Sequence, residues 1–193
     1  MNRKDFLVVI SPDQRIIKDI SLYKKACAKH VGIFPGLYSK AHISLILCRE
    51  EIKRPRQSTF IHEQYFKMIS HTTAQIESVK LNIKGFNYFT HGKKTKTIYA
   101  ELELSPEIID WFNVLKKLLY IEGELTPHIT IARTISFNDF DKLWPFFEKI
   151  EYHDSFTPDC ITVLTREPDN GLKNYSLFTK LPFSNRLLNS VAL

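Results

Sequence analysis

The spacing of apolar residues changes several times along the chain, and each change marks the start or end of a predicted element. Residues 6–10 form an unbroken apolar run rich in β-branched side chains, which predicts a buried strand. The sequence Ser11-Pro12-Asp13 follows and predicts a helix start, because a capping Ser, a Pro in the first turn and a nearby acid all favour helix N-termini. Apolar residues then recur at helical spacing as far as about His30, and Gly32 ends the predicted helix.

The rest of the chain repeats one order of predicted elements. A strand (41–48), a helix (58–71) and a hairpin (76–88 with 96–104) are followed by a helix at 106–120. A second strand (128–133), helix (137–150) and hairpin (160–166 with 175–181) come after it. The second hairpin contains Asn-Gly, the strongest short signal for a hairpin turn. This order predicts one domain, spanning residues 1–193, built from a duplicated α+β unit.

One short motif occupies the same place in both predicted units. The first copy is His42-Ile43-Ser44-Leu45 and the second is His128-Ile129-Thr130-Ile131. In a strand, residues i and i+2 point to the same face, so each histidine shares a face with its hydroxyl residue. If the two units pack about a pseudo-two-fold axis, two imidazoles and two hydroxyls meet around one site. A single copy is typical of a structural histidine, whereas two copies at equivalent places favour a catalytic function.

The four side chains suit displacement at phosphorus. That reaction needs a base for the attacking oxygen and an acid for the leaving oxygen, and histidine serves either purpose near neutral pH. Hydroxyl donors such as those of Ser44 and Thr130 hold the non-bridging phosphate oxygens, where negative charge develops. The scheme requires neither a metal nor a cofactor.

The paired motifs resemble those of the 2H phosphoesterase superfamily, in its 2′-5′ RNA ligase-like and cyclic phosphodiesterase branch. The resemblance covers essentially the whole chain. It implies a bilobal α+β fold in which two antiparallel sheets face a central cleft, with the helices outside. It also implies hydrolysis of 2′,3′-cyclic or 2′-5′ phosphodiesters of RNA ends or small nucleotides, or the reverse ligation. Catalysis is then assigned to His42 and His128, and phosphate binding to Ser44 and Thr130.

The second motif extends the resemblance, and the first departs from it. Pro127 precedes the second motif and Arg133 follows it, as in this branch, which implies that Arg133 contacts a substrate phosphate. Strand alternation turns Arg133 away from Thr130, so a bulge or a strand end is needed to bring it round. After the first motif the usual apolar residue and Gly are replaced by Cys48-Arg49-Glu50-Glu51, which indicates a divergent member.

Charge is distributed unevenly along the chain. Residues 1–100 carry 18 Lys and Arg against 7 Asp and Glu, whereas residues 101–193 carry 9 against 14. A basic first half suggests RNA or a nucleotide as the partner, although a solvated basic surface explains it equally well. Three aromatic residues near the motifs or the basic turns are candidates for lining the cleft or stacking on a base: Phe34, Tyr38 and Phe89. The basic segment Lys53-Arg54-Pro55-Arg56 is a candidate for steering RNA.

Other features narrow the class of protein. Three widely spaced cysteines argue against a disulfide framework and against a cysteine zinc site. The N-terminal apolar run is too short for a signal peptide, so a cytoplasmic location is expected. No apolar run is long enough for a membrane segment. A monomer is expected as well. The alternative to an enzyme is a non-catalytic RNA- or nucleotide-binding protein that uses the same cleft.

Overall fold

The computed structural model describes residues 2–52, 61–168 and 174–184, which contain eight strands and four helices. The strands are β1 (Asn2–Ile10), β2 (Ile43–Ile52), β3 (Leu81–His91), β4 (Thr95–Leu102), β5 (His128–Ser136), β6 (His153–Phe156), β7 (Cys160–Arg166) and β8 (Ser176–Pro182). The helices are α1 (Gln14–Val31), α2 (Ile61–Thr73), α3 (Pro106–Leu118) and α4 (Phe137–Phe147). The predicted basic turn at 53–56 and the Asn170-Gly171 turn lie outside the described residues.

The strands form one antiparallel sheet in the order β6-β3-β4-β5-β2-β1-β7-β8. Its two four-stranded halves meet between β2 and β5, where one residue pair, Ile43 and Ile129, is in register. The α+β architecture is therefore as predicted, and the two expected sheets are the two halves of this one. We call β2-β1-β7-β8 the first half-sheet and β6-β3-β4-β5 the second.

The duplication follows a different division of the chain from the predicted one. The strand order is symmetric about the β5–β2 junction. Strands at equal distances from that junction correspond to each other: β2 to β5, β1 to β4 and β7 to β3. The repeated unit is thus strand-helix-strand-helix-strand, and β4 opens the second unit instead of closing the first. Ser-Pro-acid sequences stand at the same place in both units, Ser11-Pro12-Asp13 before α1 and Ser105-Pro106-Glu107 before α3.

Each unit contributes strands to both half-sheets, so the halves are interleaved along the chain. Helix α2 contacts β8 of the first half-sheet, whereas α4 contacts β4 and β5 of the second. Helix α1 contacts α4 and β5, although it directly follows β1. Helix α3 contacts α2: the Tyr65 hydroxyl of α2 donates a hydrogen bond to the Leu118 carbonyl oxygen of α3. Neither repeat can bury its apolar surface without the other.

Local capping explains where the helices begin. The side chain of Asp13 accepts a hydrogen bond from the Ile16 amide at 2.9 Å, so Asp13, and not the predicted Ser11, is the N-cap of α1. The hydroxyls of Ser105 and Ser136 cap α3 and α4 in the same way. In α3 the first helical residue is Pro106, where a missing amide hydrogen costs no hydrogen bond.

Two strands differ from the sequence-based expectation because charged residues form them. Strand β2 continues past Cys48 to Ile52, since its charged residues lie opposite residues of the other sign in β1. Those cross-strand pairs are Arg49 with Asp5 and Glu50 with Lys4. Strand β6, whose sequence is His-Asp-Ser-Phe, is held at the sheet edge by pairing with β3, and no apolar alternation announces it.

The hydrophobic core lies between the sheet and the helices. On the first half-sheet, the ring of Phe66 from α2 packs against Phe6 of β1 and Phe178 of β8, with centroids 5.7 and 6.5 Å away. On the second, Phe86 of β3 contacts Phe147 of α4 at 4.9 Å and Tyr23 of α1 at 5.0 Å. We call this side of the sheet the helical face and the opposite side the open face. No helix in the described residues is long and apolar enough to cross a membrane.

Truncation of Phe66 tests this packing. Phe66 is 1% exposed, so we expect Phe66→Ala to lower the free energy of unfolding by about 3–5 kcal/mol, through lost burial and the cavity left behind. Met68 lies on the same helix and is 66% exposed, so Met68→Ala is the matched control, with a change within about 0.5 kcal/mol. Chemical denaturation measures both. Equal losses in the two variants would contradict the placement of α2.

Candidate functional site

The two histidines lie at the junction of the half-sheets, each held by the same backbone contact. The Nδ1 atom of His42 is 2.8 Å from the carbonyl oxygen of Lys40, and that of His128 is 2.7 Å from the carbonyl oxygen of Thr126. A carbonyl oxygen only accepts, so Nδ1 carries the hydrogen in both rings. The Nε2 atom of each neutral imidazole is therefore left with a lone pair, ready to accept a proton.

A β-bulge interrupts each strand immediately after its motif hydroxyl. In the pairing of β1 with β2, Val8 lies opposite Ile46 and Val9 opposite Ser44, so Leu45 is the extra residue. In the pairing of β4 with β5, the corresponding extra residue is Ile131, between Thr130 and Ala132. The duplication thus extends to the irregularities of the backbone. Each bulge reverses the alternation of side chains beyond it, and in β5 a second register shift follows, where Arg133 and Thr134 lie opposite Thr97.

The bulge at Ile131 changes the direction of Arg133. Positions 128–131 alternate between partly exposed and buried, Ala132 is buried, and Arg133 is exposed, on the same side as the motif residues. The positive charge of Arg133 acts on both His42 and His128. The bulge that the sequence argument required is therefore present. Leu47 occupies the equivalent place in β2, so the two halves of the site differ by one charge.

Burial favours the neutral form of both histidines. Desolvation lowers the pKa of His42 and of His128 below the ordinary value of 6.5, and the Arg133 charge lowers each further. The backbone hydrogen bonds from Nδ1 oppose this shift in part. The charges of Lys24 and of His128 lower the pKa of His42 further. Both rings are therefore mainly neutral near pH 7, and an anion placed between them would favour protonation of one.

Aromatic rings from β3 and β4 surround His128. The ring of Phe89 stands edge-on to His128 at 5.0 Å, and that of Tyr99 lies 5.1 Å away. Phe89 and Tyr99 stack on each other with centroids 4.2 Å apart. Phe89 was a sequence-based candidate and lies beside the histidine, whereas Tyr99 was missed. Tyr99 lies beside His128 because it is paired with Thr130 in the β4–β5 register, and no feature of the sequence indicates that register.

A buried lysine holds the loop that leads into the first motif. Lys24 of α1 is 2% exposed, and its ammonium donates to the carbonyl oxygens of Gly36 and Ser39, at 3.0 and 2.9 Å, and to the Ser39 hydroxyl at 3.1 Å. Desolvation lowers the pKa of Lys24 to about 8. The sequence argument missed Lys24, because a lysine on a helical pattern normally faces solvent. Its three acceptors make the burial possible.

The other sequence-predicted residues fall into different environments. Ser44 is exposed and Thr130 partly exposed, and neither hydroxyl has a hydrogen-bond partner among the described residues. Phe34 is 6% exposed and packs in the hydrophobic core, so it offers no open stacking surface, whereas Tyr38 is 85% exposed. Within the described ranges, no three His, Cys, Asp or Glu side chains are grouped closely enough to hold a metal ion.

Comparison with known proteins identifies the family. The α+β fold, with its eight-stranded antiparallel sheet and four helices, matches that of LigT-like structures. A model of the 2′-5′ RNA ligase superfamily matches residues 34–170, and the chain belongs to that superfamily. No curated protein matches the sequence.

Solved structures resemble this chain over almost its whole length. The protein TT0787 of Thermus thermophilus has 14% sequence identity and a TM-score of 0.59, over 96% of this chain and 100% of its own. E. coli LigT complexed with 3′-AMP has 12% identity and a TM-score of 0.59, over 95% of this chain and 99% of its own. At such low identity the likeness is one of fold.

The contacts of Lys24 predict a local effect of its replacement. We expect Lys24→Met to release the loop, so that the amides of Leu37 and Ser39 exchange their hydrogens at least about fivefold faster. Lys24 also makes the fold more stable as pH rises from about 8 to about 10.5, because only the unfolded chain holds that proton there. Lys24→Met should lose this rise.

Lys25, the exposed neighbour of Lys24 on α1, is the matched control. Lys25→Met should keep both the amide protection and the pH dependence of stability. Hydrogen exchange followed by NMR and denaturation at several pH values measure the two effects. Unchanged protection of Leu37 and Ser39 in Lys24→Met would contradict the proposed anchoring.

Proposed function

We propose that this protein is a metal-independent phosphodiesterase that hydrolyses 2′,3′-cyclic or 2′-5′ phosphodiesters of RNA ends or small nucleotides. The observation that carries the proposal is the pair of equivalent imidazoles, His42 and His128, each with Nδ1 bonded to a carbonyl and Nε2 left available. Two imidazoles in one tautomer are a matched acid and base for displacement at phosphorus. The superfamily to which the chain belongs supports this class of substrate.

The two histidines divide the proton transfers between them. In hydrolysis of a 2′,3′-cyclic phosphate, the neutral imidazole removes a proton from water as its oxygen bonds to phosphorus. The protonated imidazole gives its proton to the departing ribose oxygen as the other phosphorus–oxygen bond breaks. With the 5′-hydroxyl of a second RNA end in place of water, the same steps form a 2′-5′ phosphodiester, which is ligation. The reverse of ligation cleaves that linkage back to the cyclic phosphate, and there His42 and His128 exchange roles.

Three further side chains bind the negatively charged phosphate. The hydroxyls of Ser44 and Thr130 stand two residues from their histidines and donate to the non-bridging oxygens. Arg133, brought to the same side by the bulge, donates to a phosphate oxygen and offsets the charge that builds up in the transition state. Binding of that anion raises the pKa of the nearby imidazoles and so supplies the protonated acid.

The surroundings of His128 suit a nucleoside. The partly exposed ring of Phe89, with the buried Tyr99 ring stacked against it, provides an aromatic edge beside the reacting phosphate, and the exposed Tyr38 is a second candidate for contact with a base. E. coli LigT has been solved with 3′-AMP, with phosphate and with NADP+, and these ligands support a nucleotide phosphate in the corresponding site of this chain.

Replacement of either histidine tests the mechanism. We expect His42→Ala and His128→Ala each to lower kcat on 2′,3′-cyclic nucleotides by about 10²–10⁴-fold, the contribution typical of a positioned acid or base. His71→Ala is the control, because His71 is exposed on α2 and should leave kcat unchanged. Product analysis by chromatography measures turnover, and circular dichroism confirms that the variants fold.

Full activity of His128→Ala would contradict the mechanism. Turnover is compared on 2′,3′-cyclic nucleotides, 2′-5′-linked oligomers and ADP-ribose 1″,2″-cyclic phosphate. If the wild-type protein binds these compounds and transforms none of them, the alternative holds, and the protein is a non-catalytic nucleotide binder.

The shifted histidines also predict a pH dependence. Catalysis needs one neutral and one protonated imidazole, so kcat/KM should follow a bell-shaped profile set by the pKa values of the free protein. Burial lowers both of these pKa values, so we expect the maximum on the acidic side of 6.5. The bound phosphate raises both, so the maximum of kcat should lie at higher pH than that of kcat/KM. A profile of kcat/KM that still rises above pH 8 would contradict this assignment.

A further inference from the structure

The open face of the first half-sheet carries three rows of side chains in register, and each row has its own chemistry. The row beside the site contains Ser44, Val9, Thr162 and Lys180. The next contains Leu47, Leu7, Leu164 and Leu177. The third contains Arg49, Asp5 and Arg166, with Tyr175 under the guanidinium of Arg166. A mixed row in which Val9 and Thr162 are buried, an apolar row and a basic row thus follow one another away from the candidate phosphate site.

The apolar row is partly open to solvent. Leu47 and Leu177, on the outer strands of the row, are 41% and 58% exposed. Leu7 and Leu164 between them are half-buried. Four leucines at matching positions of four strands form a continuous apolar strip. The strip suits the flat, weakly polar faces of nucleobases and riboses.

The basic row is built around a buried carboxylate. Asp5 is fully buried and accepts hydrogen bonds from Nε of Arg3 at 2.9 Å and from Nε and Nη2 of Arg166 at 2.9 and 2.8 Å. Burial alone raises the pKa of Asp5, but the bonds from Arg3 and Arg166 outweigh it and hold that pKa below its ordinary value. The Arg166 guanidinium also stacks over the Tyr175 ring at 4.7 Å. These contacts fix Arg166 in place.

Arg49 adds a further positive charge to this row. It is exposed, it lies opposite Asp5 in the β1–β2 register, and no described residue forms an ion pair with it. Its charge and those of Arg3 and Arg166 all act on Tyr175, so the three guanidiniums are close together. Among the residues that the structure describes, the carboxylates of this cluster are Asp5 and the exposed Glu51, which lies opposite Arg3, so three guanidiniums face two carboxylates there.

We propose that Arg49 and Arg166 form a second phosphate subsite, so that the substrate is an oligonucleotide whose chain crosses the leucine row from the site at His42 and His128. This inference rests on the proposed function, because it names the substrate class of the same site. Arg49 suits the purpose because its planar fork donates two parallel hydrogen bonds to phosphate oxygens, whereas Arg166, whose Nε and Nη2 already donate to Asp5, contributes its positive charge and Nη1.

The spacing of the rows decides between a mononucleotide and a longer substrate. Val9 and Asp5 are four residues apart on β1, which is roughly 13 Å at the rise of a β-strand. One reacting phosphate cannot lie at both ends of that span, so a substrate that contacts both the histidines and the arginines needs a second phosphate group. An oligonucleotide supplies it, together with bases and riboses to cover the leucines.

The continuity of the surface favours RNA over an acidic protein. The basic row, the apolar row and Ser44 lie on one face, and the rows run outward from the candidate catalytic site. The basic first half of the chain provides β1 and β2, to which Ser44, Leu47 and Arg49 belong. An RNA chain whose end is bound at the histidines crosses these rows in order. A docked acidic protein does not require its binding surface to start at the histidines.

The test compares a short substrate with a long one. We expect Arg49→Gln to lower kcat/KM about fivefold on an oligoribonucleotide ending in a 2′,3′-cyclic phosphate, and to leave kcat/KM on a 2′,3′-cyclic mononucleotide unchanged. Lys67→Gln is the matched control, because Lys67 is exposed on α2 and the change removes the same charge away from the open face. It should alter neither substrate's kcat/KM.

Binding gives a second readout that does not need turnover. A 3′-phosphorylated oligoribonucleotide is titrated by fluorescence anisotropy at several salt concentrations. Arg49→Gln should weaken binding and reduce the slope of log Kd against log salt by about 1, as expected when one phosphate contact is lost. Lys67→Gln should keep the wild-type slope.

The outcomes separate the two proposals. Equal effects of Arg49→Gln on the short and long substrates, or equal salt slopes for both variants, would overturn the subsite and leave the proposed function standing. Wild-type protein that turns over no substrate would overturn the proposed function, while the binding readout still decides on the subsite. Displacement of the oligonucleotide by a Glu- and Leu-rich peptide at equal charge would overturn the assignment to RNA in favour of an acidic protein.

Discussion

The junction of β2 with β5 is the constraint on which the rest of the site depends. One pair, Ile43 with Ile129, joins the half-sheets, and both side chains are fully buried. Each isoleucine directly follows a histidine, so the pairing that closes the sheet also brings His42 and His128 to one place. The carbonyls of Lys40 and Thr126 then set the two rings in one tautomer. The proximity of the two histidines and the tautomer of each ring therefore follow from backbone geometry.

The bulges show how a repeated fold produces a site with unequal halves. Each bulge follows a motif hydroxyl and reverses the alternation of side chains, so that the residue three positions beyond the hydroxyl lies on the open face. In β5 this places Arg133 beside the histidines, while in β2 the equivalent residue is Leu47. One half of the candidate site thus presents the cation Arg133, and the other presents Leu47, which begins the leucine row. A symmetric backbone carries an asymmetric surface.

Much of the fold and of the candidate site was predictable, for identifiable reasons. Hydrophobic periodicity located α1, α3, α4 and most of the strands, and the paired motifs marked His42 and His128 as members of one site. The pairing partners of the strands were not predictable, so β4 was assigned to the first repeat although it opens the second. Tyr99, whose place depends on its register with β5, was missed, and so was Lys24, because three acceptors in the loop at 36–39 permit its burial. Phe34 looked available near the motif, yet it packs in the core.

The sequence by itself determined what is local: the helix starts, the two His-x-hydroxyl motifs, the duplication and the basic first half. These features depend on the side chains of residues close together in the sequence, whose conformational preferences do not require contacts with distant segments. Only the tertiary structure decided which strands meet, how the repeats interleave, which way Arg133 turns, and that leucines and arginines align in rows beside Ser44. Those features depend on register between distant strands, and register is set by the packing of the whole sheet.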